Sequence, residues 1–326
     1  MASGLQLSRD DLLGAFRQMK TIRAFEEAVH AEFAAGNIPG FVHLYAGEEA
    51  SAAGVCMHLD NRDAIASTHR GHGHCIAKGC DVDAMMSEIF GRGSGLCGGK
   101  GGSMHIADLS KGMMGANGIV GGGPPLICGA ALTAKTLKTG GVAVAFYGDG
   151  ASNQGTTFES YNLAKVWNLP VIFVVEDNGY AESTASAWSV AGSQSRRAAG
   201  FDIPAREVDG FDFFAVYEAA GEAVERARRG DGPSLLHVKL GRYFGHFEGD
   251  AMTYRRSGEV EQLRKTKDPL NIFRERVRDT RVLSAAELEK IDAEVDAKIE
   301  HAVRTAKAAP MPSPDVLTTD VYVDYN

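Results

Sequence analysis

Several features are scarce in this sequence, and each absence narrows the class of protein. No apolar run approaches the length needed to span a bilayer, which argues against a membrane protein. The formal net charge is -8 and no basic stripe offsets it, so we expect no nucleic-acid partner. Five cysteines without a dense framework are typical of reduced thiols. Residues 1–7 contain neither the cationic segment nor the apolar segment of a signal peptide, so the sequence predicts a cytoplasmic protein.

Two common nucleotide-binding motifs are missing as well. Residues 93–98 match the GxGxxG spacing formally, but they follow a helix-like stretch at residues 82–90 rather than a strand. Residues 99–101 lack the hydroxyl residue and the upstream glycine spacing of a P-loop. A stand-alone nucleotide-binding protein is therefore disfavoured.

The length and apolar content are those of a large α/β protein. With 326 residues, 44% hydrophobic content and 39 glycines, the chain can bury a large core, and we expect a single domain over residues 1–326. Apolar runs at residues 142–147 and 170–175 flank a helical pattern at residues 157–167. This pattern predicts a strand-helix-strand unit in a mainly parallel sheet that is flanked by helices.

Polar residues follow both predicted strands. Asp149 stands between two glycines after the first strand, and Asn178 follows the second. Parallel strands end at one edge of a sheet, so both side chains can face one ion there, and Mg²⁺ prefers such oxygen ligands. Gly148 and Gly150 let the backbone approach an anion. The sequence therefore predicts a diphosphate and metal site, although a plain strand-end turn is the alternative for this tripeptide alone.

Further blocks accompany this motif, and together they resemble a known family. The blocks lie at residues 40–50, 67–74, 100–105, 115–121 and 241–246. In this order they resemble the alpha subunits of thiamin-diphosphate-dependent 2-oxoacid dehydrogenase E1 components, over nearly the whole chain. The resemblance implies a thiamin-diphosphate-binding fold, with thiamin diphosphate and Mg²⁺ as cofactors.

The resemblance also implies roles for individual residues. Asp149 and Asn178 would bind Mg²⁺ through their side chains, and Tyr180 through its carbonyl. Arg70 is similar to the diphosphate-binding arginine, and His246 to the active-site histidine beside the thiazolium. His69 is a second candidate catalytic residue and stands where pyruvate-type members carry tyrosine. The other cofactor-binding candidates are backbone positions: Gly118, Val120, Gly148, Gly150 and Ala151.

Three positions depart from the family pattern. Asp177 stands where the first of two asparagines is usual, and Ala181 where glycine is usual. Neither is an expected ligand, so the metal site is retained, with a more negative local field. Phe247 replaces the serine that follows the active-site histidine in mitochondrial relatives, so phosphoregulation is not carried over.

The resemblance implies an oxidoreductase that shares its active site with another chain. Residues 68–79 and 243–250 resemble acetoin dehydrogenase more than pyruvate dehydrogenase. The implied reaction cleaves acetoin to acetaldehyde and an acetyl-level fragment that passes to the lipoyl group of an acyltransferase E2. Pyruvate and a branched-chain 2-oxoacid stay open as substrates. The family's activating carboxylate belongs to an E1 beta subunit, which implies an alpha2beta2 heterotetramer. A non-catalytic cofactor-holding subunit is the alternative from another class.

Other polar residues have structural alternatives. Arg70 can be a surface ion-pair residue, although its planar cation suits a phosphate. The spacing of four neighbouring residues fits no common zinc pattern, so we expect a structural role or a histidine-lined wall for them: His72, His74, Cys75 and Cys80. His43 and His105 are equally well explained as satisfied core or loop histidines.

Helical arms are predicted at both ends of the chain. Ser8 is a candidate N-cap in an N-terminal arm, residues 1–36, and Ser284 with Glu287 forms a candidate capping box in a C-terminal extension, residues 268–326. Their apolar stripes can pack within the chain or against a subunit. Residues 181–202 and 247–267 lack periodicity, and the resemblance makes them active-site loops that we expect to be mobile without the cofactor.

Overall fold

The computed structural model describes residues 7–280 and 282–321. A parallel sheet runs through this part of the chain, with strand order β1-β2-β3-β7-β6. An antiparallel pair, β4-β5, lies beside it. The predicted α/β class with a mainly parallel sheet is confirmed. The strands are β1 (Ala64–Ala66), β2 (Ala143–Gly148), β3 (Val171–Asp177), β4 (Tyr180–Ala181), β5 (Thr184–Ala185), β6 (Ala205–Asp209) and β7 (Ser234–Lys239).

Helices cover the sheet, and none of those described is long and apolar enough to cross a membrane. They are α1 (Arg9–Ala34), α2 (Glu49–Cys56), α3 (His72–Ala77), α4 (Val82–Ile89), α5 (Gly123–Leu137), α6 (Gly155–Val166), α7 (Ser186–Ser189), α8 (Gln194–Ala199), α9 (Phe213–Arg228), α10 (Glu259–Thr266), α11 (Pro269–Thr280) and α12 (Ala285–Ala308).

The predicted strand-helix-strand unit consists of β2, α6 and β3. The two strands pair in parallel, with Gly148 opposite Glu176. Side chains of β2 alternate between the two faces of the sheet: Val144 and Phe146 pack into one core, and Tyr147 into the other. Because both faces are covered, the strand is apolar throughout rather than alternating. Both strands end at the same edge of the sheet, which is where the polar motifs begin.

The two terminal helices pack against each other within the chain. Ser8 and Asp11 form a capping box at the start of α1, and Ser284 and Glu287 form one at the start of α12. Both predicted caps are confirmed. The apolar stripes are buried between α1, α12 and α4, so they serve intramolecular packing. Residues 1–6, 281 and 322–326 of the predicted arms lie outside the described residues. The division into one domain with two arms stays a prediction.

The two predicted loops contain more secondary structure than expected. Residues 181–202 include β5, α7 and α8, and the N-cap of α8 is Ser193, whose side chain accepts a hydrogen bond from the Arg196 amide. Residues 247–267 include α10. Each helix is too short to give a clear apolar period, which explains why the sequence pattern missed them. The mobility of these segments stays a prediction.

The glycine-rich segment after α4 binds a side chain of the same protein. Glu88 is fully buried, and its carboxylate accepts hydrogen bonds at 2.7–3.1 Å from four backbone amides: Cys97, Gly99, Gly101 and Gly102. Gly99 has φ of +78°, and a side chain there would collide with the backbone of Arg92. An internal carboxylate therefore accounts for these glycines without a nucleotide.

Candidate active site

A cavity of about 330 Å³ lies at the sheet edge where β2 and β3 end. Open parallel sheets bind ligands at this edge. The cavity is lined by every residue that the sequence indicated as catalytic, cofactor-binding or metal-ligating: His69, Arg70, Gly118, Val120, Gly148, Asp149, Gly150, Ala151, Asn178, Tyr180 and His246. The structure brings these residues together, and their individual roles stay predictions.

Asp149 directly follows β2 and is only 3% exposed. Its Oδ2 atom has no hydrogen-bond partner among the described residues. Burial, and less strongly the Asp177 carboxylate, raise the pKa of Asp149 to about 6. A buried carboxylate oxygen without a partner is costly, and a bound cation would remove that cost.

Asn178 and Tyr180 present oxygen atoms beside Asp149 at the end of β3. The Asn178 amide nitrogen donates to Glu48 Oε1 at 3.0 Å, which fixes the orientation of the amide group. Its Oδ1 atom therefore faces the Tyr180 amide at 3.3 Å and Arg242 Nη1 at 3.4 Å. The Tyr180 carbonyl accepts a hydrogen bond from Arg242 at 2.8 Å and keeps a second lone pair.

Two buried guanidinium groups face the cavity. Arg70 donates to the carbonyls of Leu44 and His246, and burial lowers its pKa to about 10. It forms no ion pair with the described residues, so the surface ion-pair alternative is wrong. Arg242 is 1% exposed, and its Nε atom has no described partner. Sequence reasoning assigned no role to Arg242, although it lies within the quoted block at residues 241–246.

Three histidines form one wall of the cavity. The ring centroids of His43, His69 and His246 lie 4.6–5.0 Å apart. Burial, followed by the charge of Arg70, lowers the pKa of His43 to about 3 and of His246 to about 4, and holds that of His69 well below its usual value. All three imidazoles are therefore neutral near pH 7. The alternative of a satisfied core histidine is wrong for His43, because its buried Nδ1 has no described partner.

Two buried carboxylates complete the cavity, and sequence reasoning assigned them no role. Burial raises the pKa of Glu48 to about 8. Glu176 accepts hydrogen bonds from Tyr45 and from Ser51, and pairs with His74. Burial acts to raise its pKa, but the His74 interaction and these hydrogen bonds outweigh burial and lower it. Glu48 lies in the block at residues 40–50, and Glu176 directly follows the apolar run at residues 170–175, so their positions, but not their contacts, were visible in the sequence.

The two departures near the metal-ligand candidates have clear structural settings. Asp177 pairs with His237 at 3.1 Å on β7 and does not line the cavity. The Ala181 methyl group packs against Gly150, where an added Cβ would lie only 2.7 Å away. Ala181 therefore requires glycine at position 150.

The histidine and cysteine cluster at residues 72–80 is structural. His72 pairs with Glu26 and contacts Ser103, and His74 contacts Ser67. Cys75 and Cys80 are buried thiols. In the described part of the chain these four residues form no metal-ligand group. His105 is exposed and lies 3.3 Å from the Gly101 carbonyl, as expected of a loop histidine.

Comparison with known proteins agrees with this geometry. A family profile described as "Dehydrogenase E1 component" matches residues 17–315. The chain belongs to the dehydrogenase E1 component family. This E1 chain is 62% identical, over 325 residues, to the alpha subunit of acetoin:2,6-dichlorophenolindophenol oxidoreductase of Cupriavidus necator, covering 99% of this chain and 98% of that one.

Two further relatives show the range of the similarity. The E1 chain is 55% identical over 323 residues to the subunit of the same name from Bacillus subtilis, covering 99% of this chain and 96% of the relative. It is 41% identical over 317 residues to the alpha subunit of the pyruvate dehydrogenase E1 component of Zymomonas mobilis, covering 97% and 89%.

Proposed function

We propose that this chain is the E1 alpha subunit of a thiamin-diphosphate-dependent acetoin dehydrogenase. The family accounts for the cofactor. The substrate follows from two relatives named for acetoin, at 62% and 55% identity, against 41% for a relative named for pyruvate. The reaction would cleave acetoin and pass an acetyl-level fragment to a lipoyl-bearing E2. A cytoplasmic location is part of the proposal.

The observation that carries the proposal is the open carboxylate of Asp149 inside the cavity. Its unpartnered Oδ2 lies at the same sheet edge as Asn178 Oδ1 and the Tyr180 carbonyl. Carboxylate, amide and carbonyl oxygens suit Mg²⁺, which usually completes its shell with phosphate oxygens and water. These three residues would hold Mg²⁺, and the backbone at Gly148, Gly150 and Ala151 would lie against a diphosphate.

Arg70 and Arg242 supply positive charge for that diphosphate. Both guanidiniums are buried, so their interaction with an anion would be weakly screened. Arg242, which lines the cavity, also donates to the Tyr180 carbonyl and to Tyr254, and these hydrogen bonds fix its guanidinium. Gly118 and Val120 also line the cavity and would contact the cofactor.

When bound, thiamin diphosphate supplies the electron sink for carbon-carbon cleavage. The chain's own residues bind and orient it and handle protons nearby. His246, neutral at pH 7, can accept a proton at whichever ring nitrogen carries no hydrogen, and neither ring nitrogen has a hydrogen-bond partner among the described residues. His69 lines the same wall and is the second candidate for this work.

A beta subunit would close the mouth of the cavity. Ile119 and Val120 stand at its rim and are 73% and 54% exposed. Leu126, Leu132 and Leu137 on α5 are exposed next to them along the chain. Apolar side chains at the mouth of a site favour a protein partner there. We propose an alpha2beta2 heterotetramer, with the missing part of the active site on the beta subunit.

Reduction of an artificial electron acceptor tests the proposal. This chain would be co-purified with its cognate beta subunit, supplied with thiamin diphosphate and Mg²⁺, and offered acetoin or pyruvate. We expect a higher kcat/KM for acetoin. A preference for pyruvate would overturn the substrate and leave the cofactor site intact, whereas no reduction with either would contradict the catalytic role.

A further inference from the structure

The three histidines of the cavity wall come from separate segments of the chain. His43 precedes α2, His69 follows β1, and His246 follows β7. One ring nitrogen from each can be chosen so that the three atoms lie within 4.8 Å of one another. The fold therefore brings three imidazole nitrogens, one from each segment, close enough to bind a single metal ion.

These histidines differ from the others in their hydrogen bonding. The remaining seven of the ten histidines each have a ring nitrogen within hydrogen-bond distance of a partner: His30, His58, His72, His74, His105, His237 and His301. No ring nitrogen of His43, His69 or His246 has such a partner among the described residues. His43 is only 7% exposed, and its buried Nδ1 is left without a partner.

Neutral imidazole nitrogens are ligands for zinc-class metal ions. Zinc sites with three protein ligands keep a fourth position open, and imidazole also suits copper and nickel. Mg²⁺ prefers oxygen and would not compete for these atoms. We propose that His43, His69 and His246 form a three-histidine site for a zinc-class transition-metal ion, separate from the oxygen donors around Asp149.

The neighbouring charges set the strength of this site. Arg70 Nη2 donates to the His246 carbonyl at 2.9 Å, so a guanidinium lies close to the three imidazoles. Like charge repels a bound cation, and the site is therefore weaker than a closed structural zinc site.

A metal at this point has a consequence for the enzyme. It would occupy the lone pair with which His246 accepts a proton, so the site is inhibitory; this consequence rests on the proposed function. The binding itself does not, since it depends only on the geometry of the three rings.

Calorimetric titration of the full chain with Zn²⁺, in the presence of excess Mg²⁺ and without thiamin diphosphate, tests the binding. We expect one Zn²⁺ per chain, with affinity reduced about tenfold or more in His43→Gln and in His69→Gln, because each loses a direct ligand. His301→Gln, on the exposed face of α12, is the matched control and retains the wild-type affinity.

Co²⁺ gives a second readout that does not depend on the variants. Bound at three imidazoles and a water, it should show the intense visible absorption of a four-coordinate ion, and Zn²⁺ should displace it. No binding to the wild-type chain, or the same affinity in His43→Gln and His69→Gln as in His301→Gln, would overturn the proposal. If the wild-type chain binds Zn²⁺ but its complex with the beta subunit reduces no acceptor with acetoin, the proposed function is overturned and the metal site is retained.

Discussion

Asp177 and Asp149, two carboxylates at the same sheet edge, differ in their hydrogen-bond partners and therefore in their pKa values. Asp177 accepts hydrogen bonds from His237 and from the Gly179 amide. Burial acts to raise its pKa, but these partners outweigh burial, and the pKa lies below its usual value. Asp149 has an open oxygen and a raised pKa. The Asp177 carboxylate, whose oxygens are hydrogen-bonded, has a structural role, whereas the Asp149 carboxylate has an oxygen available to a ligand.

The neutral histidines predict how stability depends on pH. The folded-state pKa values of His43 and His246 are about 3 and about 4, against about 6.5 in an unfolded chain. Between about pH 6.5 and 4, Glu48 and Asp149 bind protons more readily in the folded chain, whereas the two histidines bind them more readily in the unfolded chain. The histidines therefore contribute a slope of their own: their part of the free energy of unfolding falls as pH is lowered. Urea unfolding of the metal-free protein at several pH values measures this slope.

His43→Gln provides the comparison for that experiment, because glutamine does not titrate. Lowering the pH over the same range should cost this variant less free energy of unfolding than it costs the wild type. Equal slopes would show that the imidazole at position 43 takes up its proton in the folded state as readily as in the unfolded chain.

Sequence reasoning found residues whose type and neighbours follow a motif, and it missed those that act through distant contacts. Asp149 and Asn178 follow apolar strands, so their position at one edge could be predicted. The role of Glu48 could not, because it meets Asn178 across 130 positions of the chain. His43 became notable only when the fold placed it against His246.

At the scale of elements, the glycine-rich segment is held by one buried side chain. Glu88→Gln replaces one carboxylate oxygen, which accepts two amide hydrogens, with an NH₂ group that cannot accept them. We expect the free energy of unfolding to fall by about 2–3 kcal/mol. Urea unfolding measures the change. Glu289→Gln, on the exposed side of α12, should change it by less than about 0.5 kcal/mol. A similar small effect at Glu88 would contradict the account.

The segments at residues 181–202 and 247–267 are anchored on residues at or next to the cavity. Arg197 donates to the Ser152 carbonyl and to Asn153, just after the Asp149 turn, and Arg255 donates to the Arg242 carbonyl. Ordering of the cofactor site should therefore order both segments.

Limited proteolysis with trypsin tests this coupling. Cleavage at residues 196–197 and 255–256 should be fast without ligands and slow with thiamin diphosphate plus Mg²⁺. Cleavage after Lys138, which is exposed at the end of α5, is the internal control and should not change. Equal protection at all three places, or at none, would refute the coupling.

At the scale of the whole molecule, α1 packs against α11 and α12, and all three helices contribute to one hydrophobic core. Phe16 is fully buried, and its ring lies 5.8 Å from that of Phe273 on α11. Phe16→Ala should lower the free energy of unfolding by about 3–5 kcal/mol, because it leaves a cavity. Leu109→Ala, at a side chain that is 70% exposed, should cost less than about 0.5 kcal/mol. Urea unfolding distinguishes them, and equal costs would contradict this packing.

The sheet class, the central strand-helix-strand unit, the N-cap at Ser8 and the capping box at Ser284 were predictable because each depends on residues close in sequence. Strand order was not. The chain passes from β3 through β4, β5, α7 and α8 to the sheet edge at β6, and α9 then returns it to β7, which lies between β3 and β6; no local pattern encodes this order. The packing of α1 on α12 likewise joins residues almost 280 positions apart, as Arg17 and Glu294 show.

The central claim is that Asp149 anchors Mg²⁺ for thiamin diphosphate. Its most direct test is calorimetric titration of the complex with the beta subunit, with thiamin diphosphate and with or without Mg²⁺, in Asp149→Asn and Asp177→Asn. We predict that Asp149→Asn loses Mg²⁺-dependent affinity by at least about tenfold, or about 1.4 kcal/mol, whereas Asp177→Asn retains it. Wild-type affinity in Asp149→Asn would contradict the account.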